Sequence, residues 1–144
     1  MDILKEILYC VAGTLAFAIT MKAARKDLFF IGIAATISAG TERILSKFYG
    51  DFTACLCAMI CIVFFSEVVA RIQKEPATVI LMPSTIPLLP GSSIYYTMFY
   101  AIQGNSKLMT GYAKATVFSG VGIALGAVIS ATIIKILNEY RTKE

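Results

Sequence analysis

The sequence predicts an all-α integral membrane protein with five transmembrane crossings, the fourth discontinuous at a proline-rich break. Three observations carry that prediction. Of the 144 residues, 58% are hydrophobic, above the roughly 45–50% of soluble domains, and the mean hydropathy is +0.76. Charged residues fall in short clusters between long apolar runs. The stretch PSTIPLLPGSS, residues 83 to 93, places Pro83, Pro87 and Pro90 within eight residues. Each would cost a helix interior about 3 kcal/mol, through a lost donor and a clash with the preceding turn.

A bilayer core of about 30 Å takes about 20 apolar residues in helix. The first such run is at 3–21. Asp2 and Glu6 offset Lys5 at its start, and Lys22, Arg25 and Lys26 follow it. That is the pattern of an anchor with its cytoplasmic end last, not of a cleaved signal peptide. The second run, at 28–46, carries Glu42 and Arg43 inside it. The third, at 52–70, carries Glu67 near its end, with Arg71 four residues on. The last is at 112–137. Between them, the apolar flanks of the proline stretch, within 77–103, are each too short to cross alone. Together they make one crossing with a non-helical break at 83–91 and a half-helix starting at about Ser92. The whole chain reads as one membrane domain, with no internal repeat.

Loop charges set the orientation. With five crossings and the N-terminus outside, Lys22, Arg25, Lys26, Arg71, Lys74, Lys135, Arg141 and Lys143 face the cytoplasm, eight basic residues against five outside. If the two halves of 77–103 crossed separately, the split would be seven to six. The excess of Lys and Arg on cytoplasmic loops favours five crossings of the cell membrane with a cytoplasmic C-terminus. Small residues four apart, at Ala12/Ala16/Thr20, Gly32/Thr36/Gly40 and Gly122/Gly126/Ser130, are expected to let helix backbones approach closely. They suit the packing of one bundle, and a homo-oligomer is a further possibility they leave open.

Several chemistries drop out. The chain has no histidine and no tryptophan, so histidine-based zinc or acid–base chemistry is excluded. Cys10, Cys55, Cys57 and Cys61 lie inside apolar runs without other soft ligands and read as small packing residues. No metal site, no cofactor and no catalytic set is expected, so the chain is not read as an enzyme. The net charge of +4 forms no basic arm or stripe for nucleic acid.

Function is therefore sought where the helices are irregular or charged. Unpaired backbone groups in a bilayer cost several kcal/mol each, so a break must lie at the interface or line a protein cavity. In a cavity, half-helix ends and freed backbone groups become ligands. Thr85, Pro87, Pro90, Gly91, Ser92 and Tyr95 form the expected binding set, with Ser93 and Tyr96 nearby. The amides after Gly91 would offer a seat for the carboxylate of a small polar substrate. The competing reading is a plain linker between interfacial helices. Glu67, Arg71, Lys74 and Arg43 form a second set, read either as interfacial ion pairs or as a gate. Glu42 and Arg43, as helix neighbours, point about 100° apart. They are not expected to neutralise each other simply, and one should face a cavity or partner. Lys135 is expected to snorkel to the interface.

The segment EVVARIQKEPATVILMPSTIPLLPGSSIYY, residues 67 to 96, resembles the signature of half-size members of the threonine/serine exporter family, in their ThrE-like second domain. The positions that carry the resemblance are Ala70, Arg71, Lys74, Pro76, Ala77, Pro83, Ile86, Pro87, Leu88, Pro90, Gly91 and Tyr95. Ser84 stands where the family usually has glycine. The resemblance implies a five-span half-transporter that works with a second exporter half carrying a ThrE-like first domain. Its implied substrates are small amino acids, threonine and serine, or dicarboxylates such as succinate. The alternative is a structural membrane subunit with no transport path of its own.

Overall fold

The computed structural model describes residues 3–142; Asp2 and Lys143, used in the charge argument, lie outside the described residues. The order of elements is α1 (Ile3–Thr20), α2 (Arg25–Tyr49), α3 (Asp51–Gln73), α4 (Thr78–Ser84), a 3-10 turn (Ile86–Leu88), α5 (Gly91–Ile102) and α6 (Ser106–Thr142). The helical boundaries follow the apolar runs. Among the described residues three helices, α2, α3 and α6, are long and apolar enough to cross a membrane, and Thr78–Leu88 is a shorter apolar helical segment.

The ends of the helices have local causes. Gly50, at φ +83°, alone links α2 to α3 and reverses the chain in a conformation that side chains disfavour. Lys74, at φ +57°, closes α3 with its amide donating to the Ala70 carbonyl, a left-handed helix cap. Pro76 then follows, where a proline cannot continue the helix.

At the core, α3 packs against α2 on one side and α6 on the other. One cluster joins Ala18 of α1, Ile31 and Ala34 of α2, Val69 of α3 and Ile80 of α4. A second joins Ala58, Met59, Ile62 and Val63 of α3 with Leu88 of the 3-10 turn, flanked by Leu81, Ile123, Ala127 and Ile134. Ion pairs mark the two ends of this bundle. Lys26 binds Glu75 at one end, and Arg43 reaches Glu6 at 3.5 Å at the other.

Of the three small-residue stripes, the one on α6 makes the closest contact. A Cβ at Gly122 would lie 2.6 Å from the Phe52 carbonyl oxygen, and one at Gly126 would lie 2.9 Å from the Leu56 carbonyl oxygen. Ser130, fully buried, donates to the Gly126 carbonyl at 2.7 Å. The stripe of α1 is exposed at Ala12, Ala16 and Thr20, and in α2 Gly32 meets only Leu15. Because Gly122 sits opposite Phe52, near the start of α3, the first residues of α6 run past that end of the bundle. There α6 pairs with α5, where Tyr112 packs on the rings of Tyr96 and Tyr100, 5.2 and 5.6 Å away.

The break is narrower than 83–91. Pro83 lies in the last turn of α4, and residues 86–88 form a 3-10 turn. Only Leu89 and Pro90 are non-helical between that turn and α5, which starts at Gly91. The prolines fit because two of them occupy positions whose N–H has no helical acceptor. Pro87 is in the first turn of the 3-10 segment and Pro90 is the residue before α5.

Gly122→Ala and Gly126→Ala are expected to lower the melting temperature of the detergent-solubilised protein, since overpacking costs about 1–3 kcal/mol. Gly120→Ala, on the same helix with nothing within 4 Å of an added Cβ, is expected to leave it unchanged. A thermal melt of the three variants side by side checks this.

Candidate functional site

The proline turn, the end of α2 and the start of α3 enclose a cavity of about 230 Å³. Its walls come from five elements. Glu42, Arg43 and Ser46 come from α2, and Asp51 and Cys55 from α3. Pro87, Leu88, Leu89 and Pro90 form the break, Ser92 and Ser93 open α5, and Ser119 comes from α6. The α2–α3 reversal at Gly50 brings Glu42 and Asp51 to the same end. The contact of α3 with α6 brings Ser119, 6% exposed, into the wall together with Cys55.

The groups on offer are of both signs. Arg43 Nε lies 3.5 Å from Glu42 Oε2 and 3.5 Å from Glu6 Oε2. So Glu42 and Arg43 do approach each other, but Arg43 is shared with Glu6 and the two do not form a simple isolated pair. Their long side chains close the angular gap that their Cα positions open. Both line the cavity. The break adds backbone donors. Gly91 N–H is taken by the Leu89 carbonyl at 2.8 Å and Ile94 N–H by the Pro90 carbonyl at 3.0 Å. The amides of Ser92 and Ser93 lie in the first turn of α5, where a helix offers no internal acceptor.

The predicted residues divide. Pro87, Pro90, Ser92 and Arg43 line this cavity, and Gly91 adjoins it at the first position of α5. Thr85 does not line it; its hydroxyl donates to the Met82 carbonyl at 2.8 Å. Tyr95 is outside it as well, 63% exposed and stacked on Phe99. Ser84, the departure from the family pattern, is fully buried and donates to the Ile80 carbonyl at 2.7 Å.

Glu67 and Arg71 sit at the opposite end. Arg71 donates from Nε and Nη2 to Glu67 Oε1, both at 3.2 Å, and from Nη2 to Asn138 Oδ1. The pair therefore ties α3 to α6. Glu67 lines a second cavity of about 890 Å³ with Val63, Ala77, Leu81, Ala131, Ile134, Lys135, Asn138 and Glu139. Lys74 is absent from both walls and serves as the cap of α3.

Sequence reasoning missed Ser46, Asp51, Cys55 and Ser119. One signal pointed to Ser119: it extends the Gly122/Gly126/Ser130 stripe by one turn, at a spacing of three. A further polar group escaped notice. Asp27 is 1% exposed in the first turn of α2, and its Oδ1 has no hydrogen-bond partner. Among the described residues no cluster of His, Cys, Asp or Glu is placed to hold a metal ion.

No curated protein and no solved structure matches the chain. Residues 6–133 match the family described as Threonine/Serine exporter, ThrE. That match covers the bundle, both cavities but for the last turns of α6, and the whole proline segment, and the chain belongs to the threonine/serine exporter family.

Proposed function

We propose that the chain is a membrane subunit of a secondary exporter of small amino acids, and that the Glu42–Arg43 cavity at the proline break is its substrate site. Family membership supports the class of activity. The observation that carries the site is the meeting of Arg43, Glu42 and Asp51 with the first amides and hydroxyls of α5 in one small cavity. At about 230 Å³ it is below the roughly 300–1,000 Å³ of drug-sized pockets, which suits a substrate of few heavy atoms. An amino acid presents one carboxylate and one ammonium. Arg43 and the Ser92 and Ser93 amides serve the first, and Glu42 and Asp51 the second. A dicarboxylate such as succinate would bring two negative charges to a wall that already holds two carboxylates and one guanidinium. Threonine and serine are therefore favoured over succinate.

The break works here as a supply of backbone donors. A regular helix through 83–93 would spend the amides of Ser92 and Ser93 on its own carbonyls. The competing reading, a structural subunit with its path elsewhere, leaves this polar wall without a task.

The partner is proposed to be a second exporter half with a ThrE-like first domain, in the cell membrane, with the N-terminus outside. Five crossings then place residues 24 and 73 in the cytoplasm and residues 49 and 106 outside. Single-cysteine labelling in intact cells checks this; finding residue 106 on the same side as residue 73 would remove the single broken crossing.

Arg43→Gln is expected to cut serine and threonine export at least tenfold at unchanged membrane abundance. Ser93→Ala and Ser119→Ala should each weaken substrate affinity by one hydrogen bond, about 0.5–1.5 kcal/mol. Counterflow of labelled serine, threonine and succinate in liposomes, with abundance measured on the same samples, reads both effects. Normal export by Arg43→Gln would place the substrate elsewhere. The same assay with the purified chain alone is expected to show no export until the partner half is added, and robust export by the single chain would favour a homo-oligomeric carrier.

A further inference from the structure

Two cavities lie along the seam between α3 and α6, one toward each end of the bundle. Cys55 and Leu88 stand in the wall of the Glu42 cavity. Val63, Leu81 and Ile134 stand in the wall of the Glu67 cavity. Leu88, Val63, Leu81 and Ile134 all belong to the apolar cluster built on Met59 and Ile62. One cluster is thus the floor of both cavities. From Cys55 to Val63 is eight residues, about 12 Å of helix, so the barrier between the cavities is only a few side chains thick.

The buried member of that cluster that lines the polar cavity is also the one that does not sit on an α-helix. Leu88, 2% exposed, sits on the 3-10 turn, where its amide donates to the Thr85 carbonyl at 3.0 Å and the Leu89 amide to the Ile86 carbonyl at 3.1 Å. Pro87 and Pro90 on either side give no N–H. A short 3-10 turn flanked by prolines can shift without unwinding an α-helix, because few backbone bonds cross it.

We infer that the two cavities are the two ends of one substrate path, and that the Leu88 side chain against Met59 and Ile62 is the plug that closes it. This rests on the reading of the Glu42 cavity as the substrate site. The Glu67 cavity is then a second station for the same zwitterionic class, with Glu67 and Glu139 for an ammonium and Lys135 for a carboxylate. In this structure the plug is seated and the path is closed.

The test uses the full chain in membranes, with its four native cysteines replaced by alanine. A reporter, Leu81→Cys, is probed with a small membrane-impermeant thiol reagent in right-side-out and inside-out vesicles, and Ser92→Cys marks the side of the Glu42 cavity. With Leu88 intact, position 81 is expected to react only from the side opposite position 92. With Leu88→Ala, position 81 is expected to react from both sides, at least tenfold faster than before from the Glu42 side. Leu88→Phe should keep it one-sided. Reaction from both sides with Leu88 intact, or one-sided reaction with Leu88→Ala, overturns the proposal. If Leu88→Ala lowers membrane abundance, Met59→Ala opens the same barrier from the α3 side and is scored by the same outcomes. The labelling needs no substrate, so it separates from the functional reading. Failure of the unaltered protein, with the partner half added, to move serine or threonine would remove the substrate assignment while the labelling still decides the path.

Discussion

The contact of α6 with α3 at Gly122 and Gly126 frames the rest of the molecule. In lipid there is no hydrophobic drive to bring two helices together, so association rests on close packing and on hydrogen bonds. Here the absence of two Cβ atoms lets α6 lie directly on the carbonyls of Phe52 and Leu56. Ser119, one turn earlier on the same face, is carried into the wall of the polar cavity. Ile123, Ala127 and Ile134 are carried onto the apolar cluster of α3. Both cavities lie on this seam, so a shift of α6 against α3 would alter both at once.

The proline segment obeys a second constraint, the accounting of backbone donors. The penalty for proline applies where a helix needs the N–H. Pro87 and Pro90 stand where it does not, early in a 3-10 turn and just ahead of α5. The chain bends without leaving their missing donors as a deficit, and Ser92 and Ser93, whose amides have no acceptor within their own helix, line the cavity. Only Pro83 sits inside a helix, at the end of α4, and that helix stops one residue later.

This explains what was legible beforehand and what was not. Hydropathy is a one-dimensional property, and the runs at 28–46, 52–70 and 112–137 fall inside α2, α3 and α6, while the run at 3–21 exceeds α1 by one residue. The extent of the break was overstated because counting three proline penalties assumed three interior positions. The half-helix start at about Ser92 was close, since Gly91 after Pro90 is a local signal. Thr85 was assigned to the cavity by proximity in sequence, yet its hydroxyl turns back onto Met82, a habit of Thr at helix ends. The wall residues Asp51, Cys55 and Ser119 depend on which face of α3 meets α6, and no single run of sequence states that.

The charges at the Glu42 end carry the remaining step. A surface ion pair is worth about 0–1 kcal/mol, whereas a charged side chain at the centre of a bilayer costs about 2.5–3.5 kcal/mol on insertion scales. Glu42 and Arg43 lie inside an apolar helix, and their mutual contact, at 3.5 Å with Arg43 45% exposed, is of the weak kind. Stability alone does not account for placing them there with Asp51 around a cavity. Position along the helix does reduce the cost, because they lie near the end of α2 rather than at its centre. Charge of both signs, a cavity near the helix ends and a break that frees two amides meet at one place, and each departs from what a purely structural helix bundle requires. Their coincidence is what supports the proposal that this end of the bundle binds substrate and is more than a cap.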